Sequence, residues 1–373
     1  MAPGFLVGMY DAACDAGRQP DLIITACGSS LPAAAIGAYP NRQRRNEFLA
    51  SPDHHAMYLS AKIRRPYACH VLCRFLSTRC RGRLRCLRDT SVFSKPIMEV
   101  PLRPLGSHHI QQPFPMGEDV PRIIILAAEI DYCPNCEPRT KEGVKYYRET
   151  YFTDADTAHY LDGRPSVIAQ QFPKSGVKFT TQVKLGHTLG DAARASISDP
   201  YYINLTHLNG RYFATGAVNL NPIELAQSLA DEVIIPFYYP SDTLGQSAYG
   251  TFFGYSIRKR GLQVNRQWAT HWVDFSDLTR IKKDFVFDPI VVPSRRGSCT
   301  DGECCCLSPI RVVSGVPVSL GGFQEQLQQQ WCYGYERTME AFQQPVGNQS
   351  HIRIPNHWEM KKAKLRSLQS RVR

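Results

Sequence analysis

The run from Asn209 to Ile235 constrains this chain most. Asn209-Gly210 is a tight-turn pair, because both residue types accept positive φ. Arg211 to Ala214 reads as a short strand. Thr215-Gly216-Ala217 is a turn of small residues, in which Gly216 permits a positive φ or a close backbone approach. Pro222 suits the first turn of a helix, with Ile223, Leu225, Ala226 and Leu229 as its buried face. Val233-Ile-Ile235 then begins a buried strand. Strand, small turn, helix and strand within 27 residues is the local grammar of an α/β protein.

A second segment repeats that grammar. Leu22 to Ala26 is a short apolar strand, Cys27-Gly-Ser-Ser30 a turn of small residues, and Leu31 to Ala38 the start of an apolar helix. A helix from Gly8 precedes it and ends on a Gly cap at Gly17. A sharp strand-to-helix turn of small residues is where a nucleophile elbow forms, since the chain packs closely on both sides of a strained residue. Two registers are open. Cys27 stands at the elbow if the spacing from Asp21 is ungapped. Ser30 stands there if three more residues are allowed, which would put Pro32 in the first helical turn.

These segments together resemble the patatin-like lipid acyl hydrolases. In that family an Asp-Gly-Gly or Asp-Gly-Ala turn is followed by Val, Asn and Pro, a small-residue helix and an apolar strand, as in Thr215 to Ile235. Ala192 to Tyr202 is similar to the family's Ala-Ser-x-x-x-Pro segment, which comes before the catalytic turn. The resemblance spans about half the chain. It implies an α/β three-layer sandwich with a mostly parallel central sheet flanked by helices. It also implies an ester hydrolase of the phospholipase A type that uses a nucleophile and one Asp, without cofactor or metal.

The chain departs from that pattern at each catalytic position. Thr215 occupies the place of the Asp, and a hydroxyl cannot accept a proton at useful pH. Neither elbow register keeps both family glycines. Gly4, Gly8 and Gly28 are the candidates for the oxyanion turn, Val7 stands where a basic residue is expected, and no first strand precedes Gly8. Cys27 would need less help from a base than a serine, because a thiol ionises near pH 8.5. The expectation is therefore a divergent hydrolase with a degraded dyad and weak or absent catalysis. The alternative is a pseudoenzyme that binds lipid or protein.

Between Arg42 and Arg88 stand twelve Lys or Arg against Glu47 and Asp53, nearly the whole of the formal charge of +11. Such a segment suits phosphate. With the resemblance it suggests an anionic membrane surface and a phospholipid or other acyl ester as partner, and no nucleic acid is expected. Arg122 to Ile130 is a continuous apolar strand for a sheet buried on both faces. Tyr151 to Thr157 reads as its partner strand, and Asp162-Gly163 as a type I′ turn. Tyr249 to Tyr255 reads as a half-buried aromatic strand. Gln324 to Phe342 is an amphipathic helix with Leu327, Trp331, Tyr335 and Met339 in line.

Thirteen cysteines without a secretory signal point to free thiols in a reducing, cytoplasmic setting, and the basic segment with the resemblance implies a peripheral place at a membrane. A weaker reading takes Cys133-Pro-Asn-Cys136 with Cys299 and Cys304 to Cys306 as a zinc site. His54-His55 and His108-His109 read as surface histidines. The domain expectation is a core of 1–38 and 120–344, a basic helical cap or insertion of 39–119 and a basic tail of 345–373.

Overall fold

The computed structural model describes residues 3–63, 98–103, 107–117, 119–132, 145–200, 202–238, 250, 252–276, 290–293, 310–313, 315–350 and 352. In chain order the strands are β1 (Leu22–Ala26), β2 (Lys62–Ile63), β3 (Met98–Glu99), β4 (Arg122–Ile130), β5 (Tyr147–Phe152), β6 (Gln182–Lys184), β7 (Thr206–Leu208), β8 (Arg211–Ala214), β9 (Ile234–Phe237), β10 (His271–Asp274), β11 (Ile290–Pro293) and β12 (Ile310–Val313). The longer helices are α1 (Pro3–Asp15), α2 (Ser30–Ala38), α3 (Arg42–Leu49), α4 (Pro52–Leu59), α5 (Leu189–Ser196), α6 (Ile223–Leu229), α7 (Ile257–Val264) and α8 (Leu320–Phe342).

The fold is mixed α/β. Its main sheet runs β6-β5-β4-β8-β7, and β1 also pairs with β4. The β1–β4 and β5–β6 pairs are parallel, whereas β4–β5, β4–β8 and β7–β8 are antiparallel. The mostly parallel sheet that the resemblance implies, and that the apolar run of β4 would suit, is thus a mixed one. A strand buried on both faces reads as continuous apolar residues whichever way its neighbours run.

One detail of this sheet builds the site. β1 pairs with residues 122–126 of β4, and β8 pairs with residues 128–130 of the same strand. Both lie on the edge of β4 that β5 does not use. β1 is parallel to β4 and β8 antiparallel, so the two short strands run head to head. Ala26 is opposite Leu126, and Ala214 is opposite Ala128. The turns that leave them, at Cys27 and at Thr215, are forced together.

Alternate residues of β4 feed opposite layers, as the strand period requires. Ile123, Ile125 and Ala127 pack with Ala33 to Ala35 of α2, with Leu189, Ala192, Ala193 and Ala195 of α5, and with Phe323 of α8. Ile124 and Leu126 pack with Tyr151, Leu161 and Leu225. Ala128 and Ile130 pack with Tyr147, Phe252, Phe253 and Tyr255. Phe252, Phe253 and Tyr255 of the aromatic stretch are therefore core, as its composition suggested, although Phe252 and Phe253 are helical and not in a strand, and Tyr249 lies outside the described residues.

Helix α1 starts at Pro3 rather than Gly8 and ends at the expected cap, where Gly17 has φ +70° and Arg18 N donates to Ala13 O. It crosses α8 through glycines. A Cβ on Gly4 or Gly8 would meet the backbone around Leu327, Trp331 and Tyr335, and one on Gly334 would meet Phe5. The buried stripe of α8 holds Phe323, Gln326, Leu327, Gln330, Gly334, Thr338 and Ala341. Trp331 and Tyr335 lie at its edge and hydrogen-bond Asp11 and Asp15 of α1.

Part of the expected cap or insertion packs on the core. Phe48, Leu49, Met57 and Tyr58 pack with α2, β4 and Phe323. His54 and His55 are buried rather than on the surface. His54 Nδ1 is 2.8 Å from Leu49 O, and His55 Nε2 is 2.7 Å from Pro317 O. Both rings pack on Phe323. An adjacent pair looks polar in sequence, but two carbonyls and an aromatic ring satisfy it inside.

The turn chemistry divides. Asn209 and Gly210 have φ of 47° and 75°, the type I′ turn that joins β7 to β8. Gly163 has φ 69°, but Asp162 is not at positive φ, so type I′ fails there. That turn follows the helical turn Ala155–Ala158 instead of joining strands. The partner of β4 is Tyr147–Phe152, and Thr153 onward turns away behind the cap residue Asp154.

Candidate active site

Cys27 leaves β1 with φ 56°, in the left-handed region that disfavours a side chain by about 1–2 kcal/mol. A single turn of 3-10 helix, Cys27–Ser29, follows before α2 begins at Ser30. Ser29 holds that turn: its hydroxyl accepts from Ala26 N at 3.1 Å and donates to Ala26 O at 2.6 Å. The extra turn settles the position of Pro32. It falls within the first turn of α2, where no intrahelical N–H is lost, even though Cys27 is the elbow residue.

Ser30 is not placed as a nucleophile. It is wholly buried, and its hydroxyl donates to Cys27 O at 2.6 Å and approaches Ala193 O at 3.3 Å. It braces the elbow from behind. Cys27 is partly exposed.

Around the Cys27 sulfur three groups from two elements converge. Thr215 Oγ1, from the turn after β8, is 2.7 Å away. Asp199 Oδ1, from the segment after α5, is 3.4 Å away and accepts from the thiol. The Ala217 N–H faces the sulfur as well and hydrogen-bonds Thr215 Oγ1 at 3.1 Å. The segment 196–199 stitches the two turns to each other. Ser196 Oγ accepts from Cys27 N at 2.8 Å, and Ser198 O accepts from Thr215 N at 3.0 Å.

Gly216 is at the crossing point of this arrangement. Its φ is not positive, so its freedom of conformation is not what is used. A Cβ there would lie 2.6 Å from Leu126 O and 2.7 Å from both Cys27 N and Ser196 Oγ. The turn after β8 can reach the elbow only without a side chain at this position.

The far side of the same turn is anchored by polar groups. Tyr255 donates its hydroxyl to Val218 O at 2.9 Å. Asn219 Nδ2 donates to the fully buried Glu149 at 2.7 Å, and its Oδ1 accepts from Arg260 at 3.2 Å. Arg260 also pairs with Glu224 of α6.

Electrostatics hold Cys27 as a thiol. Burial of the sulfur is the largest cause and raises the pH at which it ionises, and the negative charge of Asp199 pushes the same way. The Thr215 hydroxyl and the Ala217 N–H pull down and are outweighed. The resting pair is thus a neutral thiol donating to a carboxylate. Any nucleophilic attack by this thiol would have to pass its proton to a base such as Asp199.

Of the residues singled out from sequence, Cys27, Gly28, Thr215 and Gly216 are brought together. Gly28 directly follows Cys27 in the turn, the place from which a backbone N–H can serve a tetrahedral oxyanion. Gly4 and Gly8 are corrected. They lie inside α1, packed on α8, and the Gly4 N–H is taken by Gln330 Oε1 at 3.0 Å. Glycines spaced by four next to a helix served helix crossing rather than anion binding.

Asp199 and Ser196 are the residues that sequence reasoning did not place. Their signal was present, since Ala195-Ser-Ile-Ser-Asp-Pro200 is the segment that the resemblance puts just before the catalytic turn. Asp199 is the carboxylate of that segment.

Among the described residues no group of three His, Cys, Asp or Glu is gathered as for a metal ion, and Cys14, Cys27 and Cys332 are free thiols. Cys133, Cys136, Cys299 and Cys304 to Cys306 lie outside the described residues. So do residues 64–88 of the basic segment. Within its described part, Arg45 is buried against Asp11, and Arg42 pairs with Asp15 at 2.8 Å. These two arginines tie α3 to α1 and do not form a free basic face. No helix among the described residues is long and apolar enough to cross a membrane.

No known protein family, curated protein or solved structure matches the chain.

Proposed function

We propose that this chain is an acyl hydrolase of patatin-like descent that works through Cys27 and Asp199. The observation that carries the reading is the thiol of a strained elbow residue, hydrogen-bonded to a carboxylate at 3.4 Å. The strand-turn-helix context and the small-residue turn at Gly216 support it. The family's Asp position is a threonine, and the nearby Asp199 takes over the proton. Cys27 Sγ attacks an ester carbonyl while Asp199 accepts the thiol proton. Gly28 N–H is the backbone donor best placed for the oxyanion. The departing alcohol takes the proton, and water, activated by Asp199, releases the acid from the acyl-cysteine.

The test is p-nitrophenyl butyrate with intact-mass detection of acylated protein, on wild type, Cys27→Ala, Ser30→Ala and Asp199→Asn. A butyryl adduct on Cys27, lost in Cys27→Ala and retained in Ser30→Ala, supports the reading. Turnover that survives Cys27→Ala rejects it.

One observation favours a second reading, that of a binding protein without turnover. Burial and Asp199 both raise the pH at which the thiol ionises, which slows any thiolate chemistry. Saturable binding of phosphatidylcholine vesicles with no acyl-cysteine and no released acid would select it.

A further inference from the structure

The nature of the nucleophile narrows the substrate. We infer that the site is built for acyl thioesters in preference to alkyl oxygen esters, an inference that rests on the Cys27–Asp199 reading above. The first argument is the fate of the tetrahedral intermediate. It holds the Cys27 sulfur on one side and the leaving group on the other, and the better leaving group departs. A thiol ionises near 8.5, whereas an alkoxide is a far stronger base, like hydroxide from water with its pKa of about 16. Attack on an alkyl ester therefore collapses back to Cys27. Attack on a thioester sets sulfur against sulfur, and exchange rates then follow thiol pKa values of similar size.

The second argument is the weakness of the activation. Cys27 is held as a neutral thiol that donates to a carboxylate, a weak base, and also shares a hydrogen bond with the Thr215 hydroxyl. The position that would carry a second carboxylate is Thr215, which is wholly buried. A hard-to-ionise thiol with a weak base needs a reactive carbonyl, and thioesters lack the resonance that protects oxygen esters. Burial of the sulfur, which disfavours free thiolate, points the same way.

The step balances without a further reactant. The Cys27 Sγ–carbonyl bond forms and the substrate's C–S bond breaks. The Cys27 proton passes to Asp199 Oδ1 and from there to the departing thiolate. Water then attacks the acyl-cysteine, losing its proton to Asp199, and the Cys27 thiol is restored as the carboxylic acid leaves.

The experiment compares three butyryl donors on the full chain: the N-acetylcysteamine thioester, ethyl butyrate and p-nitrophenyl butyrate. Each rate is divided by its own hydroxide rate, and acylation of Cys27 is read by intact mass. The expected result is a thioester kcat/KM at least about a hundredfold above that of ethyl butyrate. Equal corrected rates on the two overturn the inference. Acylation of Cys27 by p-nitrophenyl butyrate but not by the thioester also overturns it and leaves the parent reading standing. Absence of acylation by all three overturns both. In Cys27→Ser, activity that shifts toward ethyl butyrate supports the inference, and an unchanged thioester preference counts against it. If Cys27→Ser is inert, the wild-type ratio decides alone.

Discussion

Cys27 Sγ and Asp199 Oδ1 lie 3.4 Å apart across 172 residues of sequence. The carboxylate has two opposed effects on the thiol. It can accept the proton during attack, yet its charge makes the free thiolate harder to form. Asp199→Asn separates them. Ester or thioester turnover should fall about 10²- to 10⁴-fold with the base removed. Alkylation of Cys27 by iodoacetamide at pH 8 should become faster, because the neighbouring charge is gone. Slower alkylation in the variant would contradict the electrostatic account.

The backbone of Cys27 is strained at φ 56°. Glycine tolerates this region and alanine does not. Cys27→Gly should therefore be more stable than Cys27→Ala by about 1 kcal/mol, the reverse of the order at an ordinary position. Urea unfolding of both variants measures it, and neither should form an acyl-enzyme.

Gly216 and Gly261 form a matched pair. A methyl group at Gly216 meets Leu126 O, Cys27 N and Ser196 Oγ, whereas one at Gly261 meets nothing within 4 Å. Gly216→Ala should cost about 1–3 kcal/mol or more and abolish Cys27 acylation. Gly261→Ala, in the interior of α7, should gain about 0.5–1 kcal/mol with activity unchanged. Thermal melts and the acylation assay report both.

Asp11 and Arg45 are each about 1% exposed and pair directly. Asp11 also accepts from Trp331 Nε1 at 2.7 Å. Asp11→Ala leaves a buried guanidinium without its carboxylate and should destabilise by about 3–5 kcal/mol. A loss near zero in urea unfolding would mean that Arg45 finds water or another anion.

His54 is buried, and its ionisation is pushed down to about 4 from the ordinary 6.5, with burial the main cause. Between these values the unfolded chain binds a proton that the folded chain refuses. The stability held by neutral His54 is full above pH 6.5 and falls as pH drops through this window. The loss amounts to roughly 3 kcal/mol by pH 4. Unfolding free energies at pH 7 and 4.5 should differ less in His54→Gln than in wild type. Identical pH slopes would remove His54 as the cause.

Local elements were legible where one residue type meets one physical demand. The apolar run of Arg122–Ile130, the Asn209-Gly210 turn and the cap at Gly17 were each readable, because short-range sterics and strand burial decide them. The apolar face of α6 was readable for the same reason, although Pro222 stands at the N-cap, one residue before the helix, and not in its first turn. The buried stripe of α8 was displaced by one position, because Gln330, Gly334 and Thr338 face α1 for close packing and hydrogen bonding. Hydrophobicity does not report that need. His54 and His55 were misread because their partners, Leu49 O and Pro317 O, are carbonyls that any residue supplies.

The sequence by itself determined that a strained small-residue elbow follows β1, that a glycine turn follows β8, and that either Cys27 or Ser30 stood at the elbow. Tertiary structure alone decided between them, by burying Ser30 against Ala193, and it alone brought in Asp199. The physical reason is the head-to-head pairing of β1 and β8 on one edge of β4. Strand register over a hundred residues apart is set by which faces the whole core buries. No local pattern around Cys27, Asp199 or Thr215 carries that information.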